Sequence, residues 1–224
     1  MCIRDSGTLW AWGMNGNGQN GQGEITIIAR SSPVQIGTLT WSRVSVGTSH
    51  TMGIRTDGTL WAWGRNDNGQ LGFNDTVYRS SPVQLGSGTD WSMMAMGNST
   101  TLASKNNGTL WAWGRNNQGQ LGQGNTINQS SPTQVGTGTD WSLMLSAGYW
   151  SSAAIKSNGT LWTWGYNVNG ELGLNNTVSR SSPTQVGSNT DWASLGGSTN
   201  YASATIKTNG TLWAWGQGNS GTLG

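Results

Sequence analysis

Apolar and polar residues alternate in short runs along the whole chain, and no segment keeps a 3.6-residue helical periodicity for three turns. The runs from Trp41 to Val46 and from Thr51 to Arg55 predict two strands. A third strand is predicted from Thr59 to Trp63. A fourth begins at Ser81-Pro82, where the missing N–H of proline costs least, and extends to about Leu85. The pattern predicts an all-β chain.

An Asp-Gly pair at residues 57 and 58 separates the second predicted strand from the third. Such pairs favour two-residue type I′ hairpins, because both central residues of that turn need a positive φ. Asn-Gly pairs stand at the equivalent positions 107–108, 158–159 and 209–210. We therefore expect the same tight hairpin in each repeat.

Three sequence marks recur with one period. Gly-Thr-Leu-Trp begins at residues 7, 58, 108, 159 and 210, so its intervals are 50 or 51 residues. The proline of Ser-Ser-Pro falls at residues 33, 82, 132 and 183, and a further tryptophan at residues 41, 91, 141 and 192. These marks predict a single repeat array over residues 1–224. Its repeats cover approximately residues 7–57, 58–107, 108–158, 159–209 and, in part, 210–224.

The third strand of each repeat indicates how the repeats pack. Alternation places Trp61 and Trp63 on one face and Leu60 and Ala62 on the other. Both faces are apolar, so both need to be covered, as they are in a blade between two blades. Four strands in about 50 residues are typical of a propeller. We predict a β-propeller of four-stranded antiparallel blades, of which this chain holds about four and a half repeats.

Composition removes several classes of function. The formal charge is +2, only 9% of residues are charged, and no Lys/Arg stripe is present, so a nucleic-acid partner is not expected. One cysteine and one histidine exclude an internal disulfide and a His/Cys zinc site. No apolar run approaches about 18 residues, so this segment has no predicted membrane span. No signal peptide, metal or cofactor is expected in it either.

The combined motifs resemble the regulator of chromosome condensation repeat over the whole chain. They are Asp-Gly-Thr-Leu-Trp-Ala-Trp-Gly at 57–64, Asn-x-x-Gly-Gln-Leu-Gly at 66–72, Ser-Ser-Pro, and Gly-x-x-His-Thr at 47–51. The resemblance implies a seven-bladed propeller. We accordingly expect this segment to belong to a longer polypeptide that supplies the remaining repeats.

Several repeated residues have plain structural interpretations. A plant ultraviolet photoreceptor of this family uses clustered tryptophans, but its Gly-Trp-Arg-His-Thr signature is absent, so we assign the Trp-x-Trp pairs to blade packing. His50 is expected to pack and hydrogen-bond. The Asn66-x-Asn68-Gly69 string is expected to form a turn, because a tight calcium site needs more carboxylates.

Charged residues also recur in register. Asp90, Asp140 and Asp191 each precede a tryptophan and are expected to cap turns. For the basic residues, solubility and strand-edge protection are favoured over the docking of an acidic partner. The two basic sets are Arg4, Arg55, Lys105, Lys156 and Lys207, and Arg30, Arg79 and Arg180.

Residues that depart from the repeat are the candidates for binding, because loops on a rigid scaffold carry function. One such set lies between Gly-x-Leu-Gly and Ser-Ser-Pro, and another follows the first strand of the repeat. Whether the two sets lie on the same rim is left open. The candidate partner-binding residues are Phe73, Tyr78, Arg79, Tyr149, Trp150, Arg180 and Tyr201.

These observations favour a non-enzymatic, protein-binding scaffold. Few groups could converge for catalysis, since the chain has nine acids, one histidine and one cysteine. The composition favours an extracellular or cell-surface bacterial protein, and the resemblance supplies a precedent in a secreted bacterial β-lactamase inhibitor. Two alternatives stay open: an exchange-factor-like regulator of a small GTPase, and a recognition arm of a larger enzyme or adhesin. The identity of the protein partner does not follow from the sequence.

Overall fold

The computed structural model describes residues 1–196 and 202–218, and these ranges form strands without a helix. The prediction of an all-β chain is confirmed. Within the same ranges no helix exists that could cross a membrane. The strands are β1 (Cys2–Ile3), β2 (Thr8–Asn15), β3 (Thr26–Val46), β4 (His50–Arg55), β5 (Leu60–Gly64), β6 (Arg79–Gln84), β7 (Trp91–Met96), β8 (Thr100–Lys105), β9 (Leu110–Gly114), β10 (Gln129–Gln134), β11 (Trp141–Ala147), β12 (Ser151–Lys156), β13 (Leu161–Gly165), β14 (Arg180–Gln185), β15 (Trp192–Leu195), β16 (Ala202–Lys207) and β17 (Leu212–Gly216).

The strands form blades that follow one another along the chain. Blade 3 contains β7 to β10 and blade 4 contains β11 to β14, each an antiparallel meander in sequence order. Blade 5 contains β15 to β17. The 21-residue β3 serves two blades, because its first part pairs with β2 of blade 1 and its last part pairs with β4 of blade 2. Blade 2 is completed by β5 and β6, so it has the four predicted strands.

The hairpin that joins β4 to β5 differs from the predicted type I′ turn. Positive φ occurs at Gly58 (80°) but not at Asp57. Gly58 N–H donates to the carbonyl of Arg55 (2.9 Å), and Arg55 N–H donates to that of Thr59 (3.0 Å). The Asp57 carboxylate accepts hydrogen bonds from the N–H and hydroxyl of Thr59 (3.1 and 2.6 Å). These bonds favour a type I turn closed by a glycine bulge, and asparagine makes them in the later repeats.

The third strand has both faces buried, as its pattern predicts. Trp63 is fully buried and packs against Trp41, with ring centroids 5.6 Å apart. Leu60 and Ala62 face the other way and belong to a core shared with Trp91 of blade 3. The interpretation of the Trp-x-Trp pairs as blade packing is confirmed for the inner blades.

A recurring hydrogen-bond pair fastens each blade to the next. The Gln70 carbonyl of blade 2 accepts bonds from Trp113 Nε1 (3.0 Å) and Thr101 Oγ1 (2.9 Å) of blade 3. We call this arrangement the latch. It accounts for the Gly-Gln-Leu-Gly mark, because a Cβ at Gly69 would lie 2.5 Å from Ser130 Cα of blade 3. The equivalent latch carbonyls belong to Gln19, Gln120 and Glu171.

A buried asparagine braces the loop that carries the latch. The Asn66 side-chain amide donates to the carbonyls of Asp75 (3.0 Å) and Val77 (3.1 Å), and its oxygen accepts from Leu71 N–H (2.8 Å). Asn116 and Asn167 make the same bonds in blades 3 and 4. The Asn-x-x-Gly string therefore builds a loop. In the described ranges, no three His, Cys, Asp or Glu side chains converge as metal ligands.

Candidate protein-binding rim

Strand direction sorts the connections into two rims. Because the strands alternate in direction, the turn after the first strand and the long loop after the third leave the same end of a blade. We call this end the loop rim, and the opposite end, with the hairpins of the β4–β5 type, the hairpin rim. Contacts agree with this sorting, since Tyr166 N–H donates to the Trp150 carbonyl (2.9 Å). The two candidate loop sets therefore share one rim.

Three aromatic side chains of blade 4 meet on the loop rim. Tyr149 and Trp150 pack edge to face, with centroids 4.8 Å apart and an interplanar angle of 90°. Tyr166 lies on the other side of Trp150, with centroids 5.3 Å apart. All three are half-buried, so part of each side chain stays accessible. We call these residues the aromatic cluster. Tyrosine and tryptophan are the usual anchors of protein interfaces.

Next to the aromatic cluster, the ends of three first strands surround a depression of about 290 Å³. Gly47, Gly97 and Gly148 line it at equivalent positions, together with Tyr149. A Cβ at Gly97 would lie 2.1 Å from the Gly148 carbonyl oxygen, so this position admits only glycine. Close packing of backbones thus explains the first residue of the Gly-x-x-His-Thr element. It also leaves an opening that Tyr149 borders.

His50 lies below the loop rim and has no access to solvent. Its Nε2 is 3.2 Å from the hydroxyl of Thr101, which itself donates to the Gln70 carbonyl. The imidazole N–H is therefore the donor to Thr101. Burial lowers the pKa of His50 to about 3, so the ring is neutral at physiological pH. His50 packs and hydrogen-bonds as expected from the sequence.

The candidates of the blade 2 loop have structural contacts of their own. Phe73 packs partly against the core between blades 2 and 3. The Arg79 guanidinium lies 5.1 Å from the Phe73 ring centroid and 2.7 Å from Asp75 Oδ2. Burial opposes ionisation of Asp75, but bonds from Val77 N–H and Arg79 outweigh it and hold the Asp75 pKa below its usual value. Phe73 and Arg79 thus help to fold their own loop.

The remaining candidates lie elsewhere. Tyr78 is half-buried beside Arg79 on the same loop. Arg180 is half-buried at the start of β14, where it pairs in register with Gly165. Tyr201 lies outside the described residues. The structure gathers Tyr149 and Trp150 into one cluster, and the role of all seven residues in binding stays a prediction.

The hairpin rim holds the repeated lysines in ion pairs. Lys105 Nζ lies 3.0 Å from Asp90 Oδ1 and about 5 Å from the ring centroids of Trp91 (4.8 Å) and Trp111 (5.3 Å). Lys156 and Lys207 repeat this arrangement with Asp140 and Asp191. The expectation that these aspartates cap turns through their side chains was wrong, because each carboxylate faces a lysine on the neighbouring strand. Their structural role is clear.

Sequence reasoning missed two loop-rim residues, Arg115 and Tyr166. Both occupy the position directly after the glycine that ends the third strand. This position lies inside a regular Trp-Gly-x-Asn string, which draws attention away from it. The available signal was its variation, since it reads Met14, Arg65, Arg115, Tyr166 and Gln217.

Comparison with known proteins decides the family. The sequence profile of the regulator of chromosome condensation (RCC1) repeat matches residues 6–54, 57–104, 107–155 and 158–199. The chain belongs to the RCC1 repeat family. A shorter profile of the same repeat matches residues 41–70. The expected family and propeller fold are thereby confirmed.

Two plant proteins are similar to the chain over different lengths. The mitochondrial RCC1 domain-containing protein RUG3 of Arabidopsis thaliana is 31% identical over 236 aligned residues, which cover 99% of this chain and 41% of RUG3. The ultraviolet-B receptor UVR8 of the same plant is 36% identical over 85 residues, which cover 37% of this chain and 19% of UVR8. This chain therefore spans less than half of either relative.

Solved structures show the same fold. Human WBSCR16 superposes with a TM-score of 0.85 at 21% identity, over 99% of this chain and 60% of that one. Prp20p of Saccharomyces cerevisiae also gives a TM-score of 0.85, at 18% identity, over 99% of this chain and 56% of that one. That structure was described together with the binding of Prp20p to Gsp1p and histones. A further structure shows yeast RCC1 (Prp20) bound to Kap60.

Proposed function

We propose that this RCC1-repeat propeller is a non-enzymatic scaffold that binds a protein partner through its loop rim. The observation that carries the proposal is the aromatic cluster of Tyr149, Trp150 and Tyr166. The similar Prp20 propeller binds proteins, which supports a role in protein interaction for the family.

Trp150 of the aromatic cluster has different surroundings from the tryptophans that pack between blades. Trp63, Trp113 and Trp164 are fully buried between blades, so packing accounts for them. Trp150 is the one tryptophan out of register with the repeat, and it packs on two tyrosines at the surface. Half-buried aromatic side chains that are already ordered lose little entropy on binding. This is the chemistry expected of an interface anchor.

The described titratable groups favour binding over catalysis. His50 is fully buried, and its lowered pKa makes it a poor base. Asp90, Asp140 and Asp191 are engaged with lysines on the hairpin rim. A nucleophile, a base and an oxyanion donor need to converge around one reacting atom. On the loop rim, Asp67 and Asp75 are instead held in ion pairs with Arg65 and Arg79.

Site-specific photo-crosslinking tests the proposal. A benzophenone amino acid replaces Tyr149 on the loop rim or Ser157 on the hairpin rim, and the protein is irradiated in its source cells. We expect one dominant protein adduct from position 149 and little from position 157. The purified partner should then bind Trp150→Ala roughly ten-fold more weakly than the parent protein. Ser157→Ala, an exposed hairpin-rim change, is the matched control and should leave the affinity unchanged.

Two results would oppose the proposal. Equal crosslinking from both positions, or an unchanged affinity of a Trp150→Ala protein whose thermal melt shows it to be folded, would remove the loop rim as the site. A small GTPase partner whose nucleotide release is accelerated would favour the exchange-factor alternative.

We also propose an extracellular or cell-surface location, which the low content of charged residues supports. The exposed thiol of Cys2 offers a direct test. A membrane-impermeant maleimide should label Cys2 on intact cells or in the medium, and labelling only after lysis would contradict the location. A Cys2→Ser variant controls for labelling of other proteins.

A further inference from the structure

The loop rim repeats one motif with a difference in charge. In blade 2, Arg65 donates through Nε and Nη2 to Asp67 Oδ2, at 2.9 and 2.5 Å. In blade 3, Arg115 occupies the same position, but its Nε donates to the neutral side-chain oxygen of Asn117, at 3.0 Å. The carboxylate that neutralises the first arginine is thus an amide beside the second.

The ion pair in blade 2 is firm. Burial opposes ionisation of Asp67, but hydrogen bonds from Arg65 and Gln70 outweigh it and hold the Asp67 pKa below its usual value. The bond to Asp67 is also the main cause that raises the pKa of Arg65. Arg65 therefore has its anionic partner within its own loop.

The loop-rim segments of blades 3 and 4 give Arg115 no such partner. In the loop-rim segments of blade 3, residues 97–99 and 115–128, Arg115 is the only charged residue. In the corresponding segments of blade 4, residues 148–150 and 166–179, the only charged residue is Glu171. Glu171 is buried, and its carboxylate accepts two bonds from Asn169 at 2.9 Å each. Arg115 is therefore the one cation of these segments, and the one anion among them is buried.

Arg115 and the aromatic cluster lie on the loop rims of adjacent blades. The loop that begins with Arg115 reaches blade 4 through the carbonyl of Gln120, which accepts the hydroxyl of Ser152 (2.8 Å). Ser152 follows Trp150 by two residues. Asn98 of blade 3 and Tyr149 of blade 4 also line the same depression. A positive group and an apolar anchor thus lie on adjacent blades of one rim, and the loop that carries Arg115 contacts the blade that carries the aromatic cluster.

We infer that the seam between blades 3 and 4 on the loop rim binds a partner segment that carries an Asp or Glu side chain beside an aromatic or aliphatic one. Arg115 takes the carboxylate, and the aromatic cluster takes the apolar side chain. Asp67 shows within the same chain how a carboxylate meets an arginine at this position. Charge-assisted hydrogen bonds of this kind are stronger than neutral ones and give specificity. This inference rests on the proposed function of the loop rim.

Panning of a random peptide library against the purified protein tests the inference with defined ligands. We expect the selected peptides to be enriched in Asp or Glu next to an apolar residue. The synthetic consensus peptide should bind Arg115→Gln and Asn117→Asp roughly ten-fold more weakly than the parent protein. Asn117→Asp should act by giving Arg115 the internal partner that Arg65 has.

Matched variants separate charge from shape. Asn117→Ser keeps the site neutral and should leave the affinity within roughly two-fold of the parent value. Asp67→Asn changes the equivalent pair of blade 2 and should leave binding at the seam equally unchanged. Thermal melts establish that each variant is folded, and Arg115→Gln and Asn117→Asp provide two independent tests.

The outcomes distinguish this inference from the proposed function. Peptides without acidic enrichment, or no enriched peptides at all, would overturn the inference. An unchanged affinity of both Asn117→Asp and Arg115→Gln for the consensus peptide would also overturn the inference. If Trp150→Ala still weakened peptide binding in that case, the proposed function would stand. Selected peptides whose binding ignores every loop-rim variant would overturn both.

Discussion

The hydroxyl of Thr101 joins two elements of the interface between blades 2 and 3. It donates to the latch carbonyl of Gln70 at 2.9 Å and accepts the imidazole N–H of His50 at 3.2 Å. Thr101 and His50 are both fully buried. Thr101→Val removes this hydroxyl and nearly keeps the shape of the side chain. The variant therefore isolates the polar contribution of the residue.

The expected cost follows from what each former partner loses. The Gln70 carbonyl still accepts Trp113 Nε1 (3.0 Å), so the latch loses one net hydrogen bond, worth about 0.5–1.5 kcal/mol. The His50 N–H loses the acceptor that the structure gives it and stays buried, which costs about 1–3 kcal/mol more. Thr101→Val should lower the free energy of unfolding by about 1.5–4.5 kcal/mol.

Blade 4 offers a matched control. Ser152 Oγ donates to the Gln120 carbonyl at 2.8 Å, and that carbonyl keeps its bond from Trp164. No histidine depends on the Ser152 hydroxyl, because the position of His50 is occupied by Thr100 in blade 3 and by Ser151 in blade 4. Ser152→Ala should therefore cost only about 1 kcal/mol. The difference between the two variants measures the histidine contribution.

Urea unfolding near neutral pH, followed by tryptophan fluorescence, measures the free energy of unfolding of both variants. The m-value should stay the same as in the parent protein. Equal losses of stability in Thr101→Val and Ser152→Ala would refute the reasoning. That result would show that the hydrogen bond from the His50 imidazole to the Thr101 hydroxyl contributes nothing measurable to stability.

Three further perturbations test other parts of the structure. Between about pH 7.5 and pH 5 the free energy of unfolding should fall by about 2 kcal/mol, because unfolded His50 takes up a proton that folded His50, with its pKa of about 3, does not. His50→Gln should lose this dependence in pH-dependent urea titrations, and a parent curve that is flat over this range would contradict the burial effect. Gly97→Ala should cost about 1–3 kcal/mol in the same assay, because its Cβ would meet the Gly148 carbonyl oxygen, whereas the open Gly16→Ala should be nearly neutral. Asp90→Ala should lower stability by less than about 1 kcal/mol, because its ion pair is partly exposed, and a larger drop in the thermal melt would show a deeper role.

The fold followed from the sequence where local pattern and packing requirement agree. Trp63 and Leu60 lie on opposite faces of one strand, and both faces are apolar, so a blade covered on both sides was the consistent solution. The predicted turn type at Asp57 was wrong, because the φ of Asp57 depends on the hydrogen bonds that its side chain makes with Thr59. A dipeptide preference does not include those bonds.

The role of Asp90 was misjudged for a related reason. Its partner Lys105 is distant along the chain and becomes a neighbour only because Lys105 pairs with Trp91 across two strands. The common period of the acidic and basic residues held this information. Interpreting the two sets separately hid it.

The candidate site was only partly visible in the sequence. Tyr149 and Trp150 were found because they interrupt the repeat. Tyr166 and Arg115 were missed because they occupy a variable position inside a regular string. Their importance depends on neighbours in the fold: Tyr166 packs on Trp150, and Arg115 faces the neutral Asn117 where Arg65 faces an aspartate.

The central claim is that the loop rim binds a protein partner. Hydrogen–deuterium exchange tests it most directly, measured on the protein alone and with the purified partner that crosslinking has identified. Binding through the loop rim should slow exchange in residues 148–150 and 166–179 and leave the hairpin at 157–159 unchanged. Slower exchange confined to the hairpin rim or to the fourth strands of the blades, β6, β10 and β14, would contradict the account.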